Sequence, residues 1–354
     1  MNSILDKRTD LLPKITTIIP TYRRPALLRR AVLSALAQEG ASIQVCVYDN
    51  ASGDSTAEVV SALAESDSRV RYFCHEKNIG ALANFQYGLE NVTTPFYSFL
   101  SDDDVLLPGF YEEAVRELEE FPDAAFWCGV TPLITVDGTV YNARVADWLQ
   151  VGLFSKPDGL LQMVKGSMPC WTGALFRKVT MDMVGPLNEN LQGPSDIEYM
   201  LRAAVLYPIV VSKHPSALFL LNPESFSETA PLDCFWPGWK KMIEDISGAK
   251  ELNENTRTVV RESMRFNARR MLFRRGAAAL AKKGYVFSEE AGATLSSEFG
   301  DKHHAELLIR LSRICSRSPA AQLLYSYAYR LAEKVTVNKR IALKRRYGHF
   351  SQYL

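Results

Sequence analysis

Three consecutive carboxylates, Asp102, Asp103 and Asp104, follow the apolar stretch 96–100 and precede a Pro108-Gly109 turn with a helical pattern beyond it. Like charges at this density repel, and a hard divalent cation, Mn²⁺ or Mg²⁺, compensates them through oxygen ligands. The carboxyl end of a buried strand is also where open α/β sheets bind ligands. A solvated acidic turn that caps the next helix is the ordinary alternative. Two other strand ends carry polar groups. Pro20-Thr21-Tyr22-Arg23-Arg24 follows the stretch 15–19, and Asp49-Asn50 closes the stretch 43–48. Tyr22 offers a stacking face to a base, Asp49 or Asn50 a hydrogen bond to a base edge, and Arg24 a partner for phosphate.

Alternating strands and helices must hold these groups on one edge. The apolar stretches 15–19, 43–48, 70–74 and 96–100 read as strands. Residues 25–38, 56–64 and 79–90 read as helices, the first opened by Pro25 and striped by Leu27, Leu28, Ala31, Val32, Ala35 and Leu36. This alternation implies right-handed βαβ crossovers and a mostly parallel sheet. A strand over 124–130, a hairpin over 133–141 turning at Asp137-Gly138, a strand over 171–177 and a helix over 197–206 follow. Beyond residue 230 the pattern is helical, notably over 257–283 and 305–334. The expected organisation is an extension 1–14, an α/β domain 15–230 with halves 15–108 and 109–230, and a helical appendage 231–354.

The net charge of +1 gives no reason to expect nucleic acid as a partner. The six cysteines are scattered without a Cys-x-x-Cys pair, which fits free thiols in a reducing cytosol. No apolar run has the roughly 18 residues of a membrane span. A cytoplasmic protein is expected, with peripheral attachment to the inner face of a membrane left open by a basic end: Lys334, Lys339, Arg340, Lys344, Arg345 and Arg346 against Glu333, preceded by Tyr325, Tyr327 and Tyr329. A solvated helix end reads the same way. The aromatic cluster Phe235, Trp236 and Trp239 serves either a cleft or a core.

The dinucleotide fingerprint and the Walker loop are absent. Residues 16–108 instead resemble the nucleotide-binding half of family 2 glycosyltransferases, which have the GT-A fold, a Rossmann-like, mostly parallel sheet flanked by helices. The matching pieces are Ile18-Ile19-Pro20-Thr21-Tyr22, Asp49-Asn50-Ala51-Ser52-Gly53-Asp54, Asn78-Ile79-Gly80 with Asn84, and Leu100-Ser101-Asp102-Asp103-Asp104. The resemblance implies a nucleotide pocket formed by Pro20, Thr21, Tyr22, Arg24, Asp49, Asn50, Asn78, Gly80, Asn84 and Asp102, with Asp103 and Asp104 as ligands of Mn²⁺ or Mg²⁺. It implies inverting transfer from a nucleoside-diphosphate sugar, UDP- or dTDP-linked, to a hydroxyl of a saccharide or lipid-linked saccharide, in assembly of a bacterial surface polysaccharide. Asn50 and Ser101 stand where the family has aspartates.

The second half extends the resemblance through Trp171-Thr172-Gly173-Ala174-Leu175-Phe176-Arg177 and Gly193-Pro194-Ser195-Asp196-Ile197-Glu198. There the family places a general base for the acceptor hydroxyl, and Asp196 is the matching residue; an alcohol needs such a base to attack. Glu198 is the second candidate, and a plain helix cap the alternative role for Asp196. Asn222, in Leu221-Asn222-Pro223-Glu224-Ser225, replaces a family histidine, and His214 reads as a strand residue. Two other functions compete. A sugar nucleotidyltransferase would carry a Gly-rich loop with a lysine near the first strand, which is missing. A binding module without turnover would tolerate the departures at Asn50, Ser101 and Asn222.

Overall fold

The structure is a computed structural model that describes residues 14–222, 229–338 and 341–353. The chain divides into two units, Met1–Asn190 with Ser195–Asn222 and Tyr347–Leu354, and Leu191–Pro194 with Pro223–Arg346. Of the expected extension only Lys14 is described, and Glu224, Ser225, Lys339 and Arg340 lie outside the described residues.

In the first unit β1 (Ile15–Thr21), β2 (Ile43–Asp49), β3 (Val70–Cys74) and β4 (Phe96–Phe99) alternate with α1 (Pro25–Leu36), α2 (Thr56–Ser66) and α3 (Ala81–Glu90). β5 (Val105–Leu106) and α4 (Phe110–Glu120) lead to β6 (Phe126–Ile134), β7 (Val140–Arg144) and β8 (Gly152–Phe154). After α5 (Asp158–Lys165) come β9 (Ala174–Arg177), α6 (Lys178–Val184), α7 (Ser195–Leu206), β10 (Ile209–Pro215) and β11 (Ala217–Leu220). The sheet order is β3-β2-β1-β4-β9-β6-β10-β8, with β7 on β6 and β11 bridging β5 and β6.

β1 is parallel to both β2 and β4 and is buried along its whole length. A strand buried on both faces is rich in β-branched residues: Ile15, Ile18 and Ile19 supply apolar surface, and the buried hydroxyls of Thr16 and Thr17 are paired with Thr94 Oγ1 and Tyr111 OH. The α1 stripe Leu28, Ala31, Val32 and Ala35 packs into the same core; each fully buried large aliphatic side chain contributes about 1.5–3 kcal/mol. The register sets Thr21 opposite Asp49, so two of the polar strand ends share one edge, and Leu100 donates its N–H to Ile18 O to bring the acidic run to that edge too.

The other half of the sheet is mixed. β9 runs antiparallel to β4 and β6, while β10 runs parallel to β6. Residues 171–173, expected as strand, instead form a 3-10 turn, and the strand begins only at Ala174. The β6–β7 hairpin turns at Asp137-Gly138 as expected, and residues 349–350 pair back onto it through Thr139 and Gly138.

The second unit is helical: α8 (Leu232–Ser247), α9 (Glu254–Ala281), α10 (Tyr285–Phe299), α11 (Lys302–Arg317), α12 (Pro319–Asn338) and α13 (Ile341–Tyr347). α9 buries Val260, Met264, Ala268, Leu272, Gly276 and Leu280, one residue per turn. The helix expected over 305–334 is two helices, because Pro319 has no N–H to continue the first and instead starts the second. Phe235 and Trp236 are core residues of this unit, with Arg275 4.1 Å over the Phe235 ring. Among the described residues no helix is long and apolar enough to cross a membrane.

Candidate active site

The carboxylate of Asp49, at the end of β2, is held on both sides. Oδ1 accepts from Ser52 N at 2.9 Å and Ser52 Oγ at 2.6 Å, and Oδ2 accepts from Tyr72 OH at 2.7 Å. Ser52 Oγ in turn accepts from Arg23 N, so the turn after β1 and the turn after β2 are tied together. Tyr22 projects from the first of these turns, 39% exposed, with the Arg23 guanidinium 5.0 Å over its ring. Arg23 thus covers part of the ring, and Pro20 and Thr21, which precede Tyr22, are buried.

Asn50 works on the loop before α3. Its Nδ2 donates to Asn78 Oδ1 at 3.0 Å and its Oδ1 accepts from Ile79 N at 2.8 Å. Asn78 Oδ1 also takes the N–H of Gly80, whose φ of +90° only glycine adopts without strain. An aspartate at position 50 could not donate to Asn78, so the amide suits this loop. Asn84 is buried, donating to Tyr48 O at 2.8 Å and meeting His75 Nε2 at 2.9 Å. Asn84 N donates to Gly80 O, so Asn50, Asn78, Gly80 and Asn84 are tied together at the start of α3.

The acidic run divides. Asp102 accepts from Thr21 Oγ1 at 2.8 Å and from Arg24 Nη1 at 3.3 Å. Asp103 accepts from the same Arg24 Nη1 at 3.0 Å and from Asn222 Nδ2 at 3.4 Å. Asp104 is turned into the core, where Thr172 Oγ1 at 2.7 Å and the Leu220 N–H at 2.9 Å engage its two oxygens. Arg30, which sequence reasoning passed over, holds the Asp103 carbonyl. Burial, reinforced by Asp103, pushes the Asp102 carboxyl up to about 6 against the opposing pull of Arg24 and Thr21. Burial and then Asp103 also raise Asp104. Arg24, read from sequence as a phosphate partner, here compensates the carboxylates.

Among the described residues no three His, Cys, Asp or Glu side chains form a ready cage for a metal ion. The residues present nonetheless fit a cation bound in the manner typical of Mg²⁺, which takes one or two protein carboxylates and completes its shell with phosphate oxygens and water. Asp103 is the most exposed of the three acids, with the Asn222 amide at its side.

Asp196 lies in the first turn of α7, half-buried, and burial pushes its carboxyl up to about 6 although the Ile197 N–H and Arg144 favour the charged form. Glu198 is committed elsewhere: it pairs with Arg202 at 2.8 Å, and Arg202 also holds the Val184 and Pro186 carbonyls. The two acids of α7 therefore differ in kind, one fastening the 184–187 loop and one without such a pair. The turn Trp171–Gly173 packs against both β4 and α7, and Thr172 within it holds Asp104. Cys170, just before this turn, lies within electrostatic reach of Asp104, Asp196 and Arg144. His214 is in β10, its Nε2 3.2 Å from Pro108 O. The roles of Thr172 and Tyr72 are not legible in the sequence, since their partners Asp104 and Asp49 lie 68 and 23 residues away.

Residues 16–182 match the family described as Glycosyl transferase family 2. A GalNAc(5)-diNAcBac-PP-undecaprenol beta-1,3-glucosyltransferase of Campylobacter jejuni is 34% identical over 31% of this chain and 36% of its own. An uncharacterized glycosyltransferase of Rickettsia typhi is 31% identical over 57% of this chain and 63% of its own. The succinoglycan biosynthesis protein ExoW of Rhizobium meliloti is 30% identical over 38% of this chain and 43% of its own. The chain spans less than two thirds of the length of each of these curated relatives. The crystal structure of S. aureus TarS 1-349 in complex with UDP-GlcNAc aligns with a TM-score of 0.61 over 90% of this chain and 92% of that one, at 15% identity, a likeness of fold.

Proposed function

The chain carries a family 2 glycosyltransferase domain with the GT-A fold, and from that premise we propose that it moves a sugar from a nucleoside diphosphate to a hydroxyl acceptor with inversion at the anomeric carbon. One observation carries the reading. A single turn, 171–173, packs against β4, which ends in the acidic run, and against α7, the helix that carries Asp196.

The base stacks on Tyr22 and meets the Asp49 turn, while the network of Asn50, Asn78, Gly80 and Asn84 fixes the pocket wall. Asp102 meets the ribose. Asp103, with Asn222 beside it, would hold a divalent cation, and the chemistry such a cation would supply there is charge neutralisation on the diphosphate leaving group. Asp196, its carboxyl pushed up to about 6 by burial, takes the proton from the acceptor hydroxyl as its oxygen attacks the anomeric carbon; a positioned base of this kind contributes roughly 10²–10⁴ in rate. A uridine donor is the first to test, because TarS is solved with UDP-GlcNAc and with UDP. The acceptor belongs to a surface or exopolysaccharide, in keeping with the printed names of the Campylobacter and Rhizobium relatives.

The test is UDP or dTDP release from a panel of nucleotide sugars, with and without Mn²⁺ or Mg²⁺, in the presence of mixed saccharide acceptors. Metal-stimulated release is expected, with the stimulation lost in Asp103→Ala. No release from any donor, or release indifferent to Asp103→Ala, overturns the assignment.

A further inference from the structure

α12 binds its own unit with only one face. Gln322 Nε2 donates to Leu280 O at 3.0 Å, Tyr325 OH to Ala277 O at 3.2 Å and Ser326 Oγ to Ala281 O at 2.8 Å, while Tyr329 stacks on Tyr325. At 100° per residue the opposite arc carries Leu323, Leu324, Tyr327, Leu331 and Val335, which are 73%, 70%, 62%, 45% and 56% exposed. Five large apolar side chains on one arc, all open to water, is a cost that a soluble surface avoids unless something covers them.

The charge around this face indicates what does. From Leu307 onward the sequence has one acidic residue, Glu333, against ten Lys and Arg, although the whole chain has a net charge of only +1. The rest of the protein is therefore net acidic. On α12 Arg330 stands at the edge of the apolar arc and Lys334 within it; Arg313 and Arg317 on α11 and Arg345 and Arg346 on α13 are exposed as well. Leu and Tyr on one arc, with Arg330 at its edge and the long Lys334 side chain able to reach outward from within it, is the composition of a helix that lies in the plane of an anionic lipid surface. A second copy of this chain would bring the same positive charge to the interface and repel.

We propose that the outer face of α12 is a membrane-docking surface, seated on anionic phospholipid with Leu324 and Leu331 in the acyl boundary and Arg330 and Lys334 at the headgroups. The inference goes beyond the transfer reaction and does not depend on it. Each Lys or Arg at such a surface is worth about 1 kcal/mol, or roughly fivefold in partition. The attraction is screened by salt.

The experiment is co-sedimentation of the full chain with vesicles of phosphatidylcholine alone and of phosphatidylcholine mixed with phosphatidylglycerol, at low and high salt, with circular dichroism as the check on folding. Binding to the anionic vesicles is expected, weakened by salt. The double variant Leu324→Ser, Leu331→Ser should lose that binding at either salt concentration. Arg330→Gln with Lys334→Gln should bind the anionic vesicles more than tenfold less while retaining its helix content. Because all four side chains are exposed, these variants should keep the fold. If wild type stays in the supernatant, or prefers neither vesicle, the proposal fails. It fails equally if the apolar variant binds vesicles as wild type does but turns a dimer into a monomer, which would make the face a contact between copies.

Discussion

Asp196 is placed in the first turn of α7, where burial raises its carboxyl from the ordinary 3.8 to about 6. A base poised there is deprotonated at neutral pH yet still binds a proton well. The rate should therefore rise with pH through about 6, and a pH–rate profile flat between pH 5 and 8 contradicts the assignment. Stability runs the other way. Folding raises this pKa, so the native state holds the extra proton between the two values, and stability falls as pH rises through that window. Asp196→Asn should melt higher than wild type at pH 8, by on the order of 1–3 kcal/mol, and the gain should vanish near pH 4. Arg24 presents the reverse case. It pairs with both Asp102 and Asp103, and Arg24→Ala should destabilise by roughly 1–3 kcal/mol at pH 8. The loss should shrink below pH 5, where the raised Asp102 carboxyl is protonated in the folded protein, and equal melting shifts at both pH values would show that Arg24 acts through packing alone. What the sequence could convey at this scale was residue type and order. That Asp104 turns inward while its neighbour Asp103 meets Arg24 depends on Thr172 and Leu220, which lie 68 and 116 residues away.

The Trp171–Gly173 turn is the element on which the two halves of the site depend. Gly173 has no room for a side chain: a methyl group there would overlap Thr131 Oγ1 and Ser216 Oγ, both buried. Gly173→Ala should cost about 1–3 kcal/mol as overpacking and displace Thr172 from Asp104, lowering turnover more than UDP affinity, because the nucleotide pocket is built on other strands. Unchanged melting and turnover would mean that the turn yields freely. The elements of the first half were legible because each strand ends in a turn with its own chemistry and each helix has a clean stripe. The second half was less so. β9 is four residues long, and its partners β4 and β6 lie far from it in sequence, so no local period announces its antiparallel pairing. The apparent long helix near the end concealed Pro319, whose breaking effect outweighs the continuous apolar spacing on either side.

Taken whole, the molecule has a mixed α/β unit that holds every residue of the candidate site and a helical unit that carries an apolar, basic surface. Saturating UDP should raise the melting temperature of wild type, and of Asp196→Asn equally, since the base faces the acceptor; Asp49→Ala should lose that shift. The most direct test of the account is turnover of the active nucleotide sugar by Asp196→Asn, measured as nucleoside diphosphate release with acceptor present, alongside its affinity for the same donor. A fall in rate of roughly 10²–10⁴ with donor affinity unchanged is the predicted result. A rate near that of wild type would reduce Asp196 to a helix cap and contradict the mechanism.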